Sequence, residues 1–244
     1  MKLSDEQLET FERDGYILLR GFADAARCDA ILNAANEEID ARTPPIETEG
    51  EYVETNNPTL RRLRQVYDRR PEFRDWMTDR EIRPMLAQVL HDTPVLTLAH
   101  HNSIMTKMPS TSTETCWHQD RRYWNFENDN LVSVWLALGD ETMENGVLEF
   151  IPGSHKLEYR PDQFDDKTCF MTGLPENDAL ISHKVHHDLH QGDIVIFHCR
   201  TLHHAYDNRT DEAKIAFVYT VKGQANKPIP GTRSSEHPEV VLEA

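Results

Sequence analysis

The spacing of the hydrophobic positions divides the chain into a helical first part and a strand-rich second part. Before residue 94 apolar residues recur at intervals of three and four, which predicts amphipathic helices, as at Ile31, Leu32, Ala35 and Ile39. From Pro94 onward the apolar residues form short β-branched runs or alternate with polar residues, and both patterns are typical of strands. The order of the two patterns therefore predicts helices first and a β-sheet structure after them.

Three helices and one strand are predicted before residue 94. The first helix begins at Ser4, where Gln7 completes a capping box, and it ends at Gly15. A short strand follows at residues 16–19, and the proline-rich and carboxylate-rich segment 43–58 is predicted to be a loop. The three predicted helices cover residues 4–15, 24–42 and 78–90.

The second part of the chain predicts several short strands. Val132, Val134 and Leu136 lie on one face of a predicted strand, and Ser133, Trp135 and Ala137 lie on the other. The Asn145-Gly146 pair indicates a hairpin turn. The predicted strands cover residues 94–107, 131–138, 147–151, 194–198 and 214–221.

Helices followed by many short antiparallel strands predict a mainly β fold with flanking helices, a jelly roll with a pocket at its mouth. We expect one domain over residues 1–222, which includes the N-terminal helices, and a C-terminal tail over residues 223–244 that crosses the surface or is poorly ordered. Residues 156–187 are long, polar and mixed in pattern, so they are expected to form a lid or an insertion over the pocket.

The charge of the chain limits its partners. A net charge of −16 argues against binding to nucleic acid and to an anionic membrane surface, because both are negatively charged. No run of about 18 apolar residues is present, and the N-terminus lacks the apolar core of a signal peptide. The four cysteines are scattered without a Cys-x-x-Cys pair and are predicted to be reduced thiols of a cytoplasmic protein.

His118 and Asp120 are the most informative pair in the chain. Two residues apart on an extended segment, an imidazole and a carboxylate point to the same side. A distant histidine, with His203 and the adjacent His204 as candidates, can then complete one face of a metal ion. Two histidines and one carboxylate leave three coordination positions open, which suits non-haem Fe(II) and O2 chemistry.

Five motifs together resemble the phytanoyl-CoA dioxygenase family. Their order and spacing fit that family from about residue 5 to residue 221. The resemblance implies a double-stranded β-helix of the cupin-like type, Fe(II), and 2-oxoglutarate as co-substrate. The motifs are Trp117-His118-Gln119-Asp120, Asn145-Gly146-Val147-Leu148, Ile151-Pro152-Gly153-Ser154-His155, Gly192-Asp193 and Thr201-Leu202-His203.

The resemblance assigns His118, Asp120 and His203 as the catalytic iron ligands. It favours His203 over His204, because Asn208 follows His203 at the distance found in the family. The presence of Asp120 argues against a halogenase, which needs a vacant ligand position for chloride.

The residues expected to bind 2-oxoglutarate depart from the family pattern. Lys214 stands where the family has an arginine, and a lysine binds a carboxylate as a point charge rather than as a fork. Ala205 stands where a small hydroxyl residue is frequent. Lys107 and Trp135 match a lysine and a tryptophan near the same co-substrate, although a solvated lysine and an ordinary core aromatic are the plainer interpretations.

The resulting hypothesis is a 2-oxoglutarate-dependent non-haem iron dioxygenase that hydroxylates a small organic substrate with O2 and releases succinate and CO2. Two alternatives stay open. One is a non-catalytic ligand-binding barrel of the same fold, which Lys214 and Ala205 favour. The other is a cupin-like iron oxygenase that does not use 2-oxoglutarate. The substrate itself and the oligomeric state are not fixed by the sequence.

Two further clusters of side chains have both a functional and a plainer interpretation. Six arginines could hold an anionic substrate at the pocket, although a solvated helix face paired with carboxylates is the preferred interpretation. A second group of histidines is predicted not to bind metal, because no carboxylate completes a site. The arginines are Arg61, Arg62, Arg64, Arg69, Arg70 and Arg74, and the histidines are His183, His186, His187 and His190.

Overall fold

Two antiparallel sheets form the centre of the computed structural model, which describes residues 1–243. The strands are β1 Tyr16–Leu19, β2 Ile46–Thr48, β3 Leu60–Arg64, β4 Pro94–Lys107, β5 Thr115–His118, β6 Leu131–Ala137, β7 Glu149–Phe150, β8 Val185–His186, β9 Ile194–His198, β10 His203–Ala205, β11 Lys214–Gly223 and β12 Glu239–Val241. The α-helices are α1 Asp5–Asp14, α2 Ala25–Ala41, α3 Glu49–Val53, α4 Pro71–Met77, α5 Arg83–Leu90 and α6 Pro175–Ile181.

The larger sheet has the strand order β1-β9-β6-β11-β4-β3-β2, and β12 pairs with β4. The smaller sheet has the order β5-β10-β7-β8. Side chains from both sheets, among them Trp135, Phe150 and Val218, pack in one hydrophobic cluster between the sheets. This architecture confirms the predicted jelly-roll fold with flanking helices.

Strand β6 shows how the hydrophobic pattern builds the two layers. Val132, Val134 and Leu136 belong to the large cluster that also holds apolar residues of α2, α4 and α5. Trp135 and Ala137 point to the other side and belong to the cluster between the sheets. Both faces of the strand are therefore buried, which is the position of a central strand covered on each side.

The ends of α1 follow the sequence signals closely. The Ser4 hydroxyl accepts the backbone N–H of Gln7, and the Gln7 side chain accepts the backbone N–H of Ser4. Gly15 ends the helix with φ of 83°, in the left-handed region that glycine adopts without strain.

Two of the predicted boundaries are wrong. The predicted loop 43–58 contains β2 and α3, and the third predicted helix begins at Arg83 rather than at Thr78. The Asp79 side chain accepts the backbone N–H groups of Glu81 and Ile82, a local turn that keeps the helix from starting earlier. Helix α4, which lies just before this turn, was not predicted.

The Asn145-Gly146 pair forms a tight turn but not a hairpin. The Asn145 side chain accepts the N–H of Thr142, and the N–H of Val147 is donated to the Thr142 carbonyl. The strands on either side, β6 and β7, lie in different sheets, so the turn carries the chain from one sheet to the other.

The prediction of four reduced thiols is wrong for one pair. Cys116 on β5 and Cys169 in the segment 156–187 form a disulfide, with their Cα atoms 5.7 Å apart. Next to this bond, the Phe170 N–H donates to the Trp117 carbonyl, so the two segments lie side by side. Cysteine spacing along the sequence does not reveal this proximity. Cys28 and Cys199 are buried free thiols.

Residues 224–243 pack against the larger sheet. Val240 pairs with Leu96 of β4, and the following Leu242 is buried in the main hydrophobic cluster. Among residues 1–243, no helix has the length and apolar character needed to cross a membrane.

Candidate metal centre

Three side chains converge where β5 and β10 meet. The Asp120 Oδ1 atom lies 3.8 Å from His118 Nε2 and 3.9 Å from His203 Nε2. One donor atom from each residue lies within 4.8 Å of the others, a spacing that a single metal ion can bridge. In the part of the chain that the structure describes, this is the only such group of histidine, cysteine and carboxylate donors.

Strand pairing brings these distant residues together. His118 ends β5 and is directly opposite His203 in the antiparallel pairing of β5 with β10. Asp120 follows at the start of a 3-10 turn, so its side chain joins the two histidines. The structure thus assembles the three residues that the sequence predicted as iron ligands.

Each histidine is oriented by a backbone carbonyl two residues before it. His118 Nδ1 is 2.8 Å from the Cys116 carbonyl, and His203 Nδ1 is 3.0 Å from the Thr201 carbonyl. A ring nitrogen facing a carbonyl carries the proton, which leaves the Nε2 lone pair for a metal. Burial lowers the pKa of His118 to about 3 and also lowers the pKa of His203, so both rings are neutral near pH 7.

Asp120 is buried and held on both oxygens. Its Oδ2 accepts the Ser133 hydroxyl at 2.9 Å, and its Oδ1 lies 3.0 Å from His101 Nε2. Burial acts to raise the pKa of Asp120, but His101 and His203 outweigh it and lower the pKa overall. The carboxylate is therefore ionised at neutral pH, as a metal ligand must be.

His204 lies on the other side of β10. Its Nδ1 is 3.1 Å from Glu149, its Nε2 is 2.7 Å from Glu114, and its ring stacks on Trp117. Both ring nitrogens are thus occupied away from Asp120. His203 is the histidine that geometry favours as the third ligand.

Two cavities meet at the three residues. A small cavity of about 60 Å³ has mostly apolar walls and is lined by His118, His203, Lys107, Trp135 and Lys214, among others. A larger cavity of about 330 Å³ is lined by His118 and Asp120 and by several arginines. The residues common to both cavities are Arg61, His101, Met105, Thr115 and His118.

The comparisons with known proteins agree with this geometry. A family model described as phytanoyl-CoA dioxygenase (PhyH) matches residues 11–216, most of the chain. The chain belongs to the phytanoyl-CoA dioxygenase family. The family predicted from the sequence motifs is thereby confirmed.

Relatives of the family cover nearly the whole chain. Phytanoyl-CoA dioxygenase domain-containing protein 1 of Bos taurus is 23% identical over 89% of this chain and 89% of its own. The epimerase SnoN, solved with Fe3+, alpha ketoglutarate and nogalamycin RO, superposes with a TM-score of 0.77 at 22% identity and covers 93% of this chain and 90% of its own. EctD of S. alaskensis, solved with 2-oxoglutarate and 5-hydroxyectoine, gives a TM-score of 0.76 at 21% identity over 98% of this chain and 86% of its own.

Within this family framework, Lys214 is already paired. Its Nζ lies 3.1 Å from Glu141 Oε2 and donates to the Gly146 carbonyl at 2.6 Å. The other Glu141 oxygen accepts the Trp135 indole N–H at 2.9 Å. Since Lys214 and Glu141 are both buried, the charge of the lysine is balanced inside the protein.

Lys107 is the neighbouring lysine in the pairing of β4 with β11, and among residues 1–243 it has no carboxylate within ion-pair distance. Its Nζ donates to the carbonyls of Thr113 at 2.8 Å and Ala205 at 3.4 Å. Burial, then the charges of Lys214 and Arg61, lower the pKa of Lys107 to about 7. A negatively charged ligand in the small cavity would stabilise the protonated form of Lys107.

Sequence reasoning missed Glu141, Ser133 and His101. Ser133 was placed on the correct strand face but given no role, and it bonds Asp120 from that face. Glu141 carried no signal, because its partner Lys214 is far away in the sequence. His101 is one of thirteen histidines, and only the fold places it beside Asp120.

The six predicted arginines separate into two groups. Arg61, Arg62 and Arg64 lie on strand β3, and all three line the larger cavity, so the helix-face interpretation is wrong for them. Arg69 and Arg70 both bind Glu38, and Arg74 binds Asp68 as predicted.

The second histidine cluster is dispersed in the structure. His187 lies 3.0 Å from the Tyr16 hydroxyl, and His190 lies 3.0 Å from Asp140 on the surface. Within residues 1–243, neither belongs to a group of donors that could share a metal.

Proposed function

We propose that the protein is an Fe(II)- and 2-oxoglutarate-dependent dioxygenase that hydroxylates a small organic substrate and releases succinate and CO2. The observation that carries the proposal is the position of His118, Asp120 and His203 at the junction of two cavities. A small cavity for the co-substrate and a larger one for the substrate then both reach the same metal. Family membership supports the same conclusion.

The three residues fit iron by their chemistry. Two neutral imidazoles and one carboxylate on a single face leave three positions open, as in non-haem Fe(II) oxygenases. Bound there, iron with 2-oxoglutarate supplies the oxidation of the substrate by O2. The protein holds the two Nε2 atoms and Asp120 Oδ1 in place through the Cys116 and Thr201 carbonyls and the Ser133 hydroxyl.

We assign the small cavity to 2-oxoglutarate. Lys107 is the cation that binds its far carboxylate, because the charge of Lys214 is balanced by Glu141. Trp135 forms part of the cavity wall, and its indole N–H fixes Glu141 in place. Lys214 acts through this network by setting the shape of the cavity.

Hydroxylation is our proposal for the reaction type. Asp120 fills the ligand position that a halogenase leaves for chloride, which favours hydroxylation. The substrate lies in the larger cavity, where it can present a C–H bond on the side of the centre that Asp120 and His118 line.

The test is anaerobic addition of Fe(II) and then 2-oxoglutarate, followed by the visible charge-transfer band of the iron chelate. We expect the band in the wild type and its loss in Asp120→Ala. The same substitution at the exposed Asp162 is the matched control and should leave the band intact. Admission of O2 should then produce succinate from 2-oxoglutarate.

Replacement of the adjacent histidines distinguishes the third ligand. His203→Gln should abolish stoichiometric iron binding, whereas His204→Gln should retain it, because the His204 side chain faces Glu149 and Glu114. The reverse result would move the ligand assignment to His204.

One observation favours a second candidate, an iron oxygenase that does not use 2-oxoglutarate. The Lys214–Glu141 pair places a carboxylate beside the cavity where a dianion is expected to bind. Iron binding with O2 consumption but without the band or succinate would support that candidate. Failure to bind iron at all would instead support a ligand-binding protein without catalysis.

We also propose a cytoplasmic location, because a reducing compartment keeps iron as Fe(II). The Cys116–Cys169 disulfide is the observation that opposes this proposal, since disulfides are rare in such a compartment. Acid quenching of intact cells, followed by alkylation of the denatured protein so that the buried Cys28 and Cys199 also react, decides the point. Two protected cysteines in the cellular protein would argue against the cytoplasm.

A further inference from the structure

One wall of the larger cavity carries an accumulation of guanidinium groups. Arg61, Arg62 and Arg64 come from β3, and Arg233 comes from the C-terminal segment. The chain as a whole has a net charge of −16. Guanidinium groups concentrated around one cavity of about 330 Å³ are therefore an exception to the acidic character of the protein. A ligand of opposite charge would account for this arrangement.

The carboxylates nearby do not balance these groups individually. Glu47 is shared, with an oxygen 2.6 Å from Arg62 Nη2 and 3.8 Å from Arg64 Nη1. Arg61 has its own partners. It binds Glu49 at 2.9 Å, and its guanidinium lies 3.5 Å from the centre of the Tyr52 ring. Glu47 also lies 3.9 Å from Arg61 Nε, and Glu51 lines the same cavity near Arg64, so Glu47 and Glu51 face four guanidinium groups.

Arg233 has no carboxylate within ion-pair distance among residues 1–243. Arg233 is an exposed residue, and partial desolvation, then the charges of Arg64 and Arg62, lower its pKa, so the three guanidinium groups repel one another. The neighbouring Ser234 fixes its position, since the buried hydroxyl contacts His100 Nε2 at 2.7 Å and accepts the Asn125 N–H at 2.9 Å. The repulsion is thus built into a fixed segment.

The geometry points to an oxyanion-binding site for the substrate, formed by Arg62, Arg64 and Arg233. This inference rests on the proposed function and deepens it: the substrate is a small organic acid that carries a carboxylate or a phosphate. Guanidinium groups bind both kinds of oxyanion through paired N–H donors. Tyr123 and Trp124 line the same cavity, so an apolar or aromatic body fits beside the charged end.

The test uses three compounds with one body: 4-phenylbutanoate, 4-phenylbutyl phosphate and the neutral 4-phenylbutanol. Their binding is measured by calorimetry on the metal-free protein and again on the anaerobic protein with Fe(II) and 2-oxoglutarate. We expect at least one of the two anions to bind about tenfold or more tightly than the alcohol in both forms, and the preferred anion distinguishes carboxylate from phosphate. Added salt should reduce the difference.

Substitutions locate the site. Arg64→Gln and Arg233→Gln should each weaken the preferred anion by about tenfold and leave the alcohol unchanged. Arg209→Gln, at an exposed arginine outside the cavity, is the matched control and should have no effect. Glu47→Gln should strengthen anion binding, because it frees Arg62 and Arg64.

Two outcomes would overturn the proposal: no preference for the anions, including no binding of any of the three compounds, or anion binding that both arginine variants leave unchanged. Binding to the metal-free protein does not depend on iron or 2-oxoglutarate. A missing charge-transfer band alongside anion binding would therefore refute the proposed function but not the oxyanion site. A normal charge-transfer band without anion binding would refute the oxyanion site but not the proposed function.

Discussion

The pair of lysines in the small cavity gives the sharpest prediction at the scale of single residues. Lys107→Met should weaken 2-oxoglutarate binding by about 10-fold to 100-fold, the worth of a hydrogen-bonded charge, in an anaerobic titration of the charge-transfer band. Lys214 alone is a poor control, because its loss leaves Glu141 buried and unpaired at a cost of about 3–5 kcal/mol.

The matched control removes both members of that pair. Lys214→Met combined with Glu141→Gln keeps the cavity free of an unpaired charge and should change 2-oxoglutarate affinity little. If the double variant loses binding while Lys107→Met keeps it, Lys214 is the anchor and our assignment of the two lysines is reversed.

The pH dependence of 2-oxoglutarate binding follows from Lys107. Its pKa of about 7 in the free protein is raised when a carboxylate binds, so binding takes up a proton above pH 7. Affinity should be flat below pH 7 and should fall by up to about tenfold per pH unit above it, until the pKa of the bound form is reached. Titrations of the wild type and Lys107→Met check this, and an equal slope in the variant would exclude Lys107 as the titrating group.

The sequence predicted the metal-facing residues better than their supporting contacts. His118 and Asp120 form a local pattern that the sequence shows directly, although Asp120 begins the 3-10 turn after β5 and is not on the extended segment that was predicted. The Lys214–Glu141 pair and the Ser133 hydrogen bond join residues of separate strands and loops, and no local pattern records such contacts. From the sequence, only the resemblance to a family favoured His203 over the adjacent His204 as the third metal ligand.

At the scale of elements, the disulfide joins β5, which carries the proposed iron ligand His118, to the segment 156–187. Cys169→Ser should lower the free energy of unfolding by about 2–4 kcal/mol, the usual worth of such a cross-link, and speed amide hydrogen exchange in that segment. Thermal melts with and without reductant provide the check. Reductant should destabilise the wild type and leave the variant unchanged.

Two further results would contradict this assignment. An identical melting temperature in wild type and variant would mean that the bond is absent in solution. Exchange that stays slow throughout 156–187 in the variant would mean that the contact of Phe170 with Trp117, rather than the disulfide, holds the segment.

Elements with strong local signals were predicted well, and elements that depend on tertiary contacts were not. The capping box of α1 and the alternation of β6 determine their structures locally. Strand β2 forms because β3 lies beside it, and the prolines and carboxylates of the surrounding segment concealed it. The Asn145-Gly146 turn was recognised, but the sheet to which each flanking strand belongs is decided by packing.

At the scale of the whole molecule, the site exists because two sheets face one another. The larger sheet contributes Lys107 from β4, Trp135 from β6 and Lys214 from β11. The smaller sheet contributes His118 and His203. The candidate metal position and the position that we propose for 2-oxoglutarate thus belong to different sheets. A change that shifts the packing between the sheets should therefore weaken 2-oxoglutarate binding even where each sheet keeps its own structure.

The C-terminal segment tests how far the domain extends beyond the predicted boundary at residue 222. Strand β12 covers part of the edge of β4, and Leu242 is buried in the main hydrophobic cluster. Removal of residues 237–244 should therefore lower stability by more than the about 2–5 kcal/mol expected for Leu242→Ala, in denaturant or thermal unfolding. Arg233 remains in this truncated chain, so anion binding should survive. A truncated chain as stable as the full one would show that residues 237–244 are a dispensable tail and that the fold is complete without them.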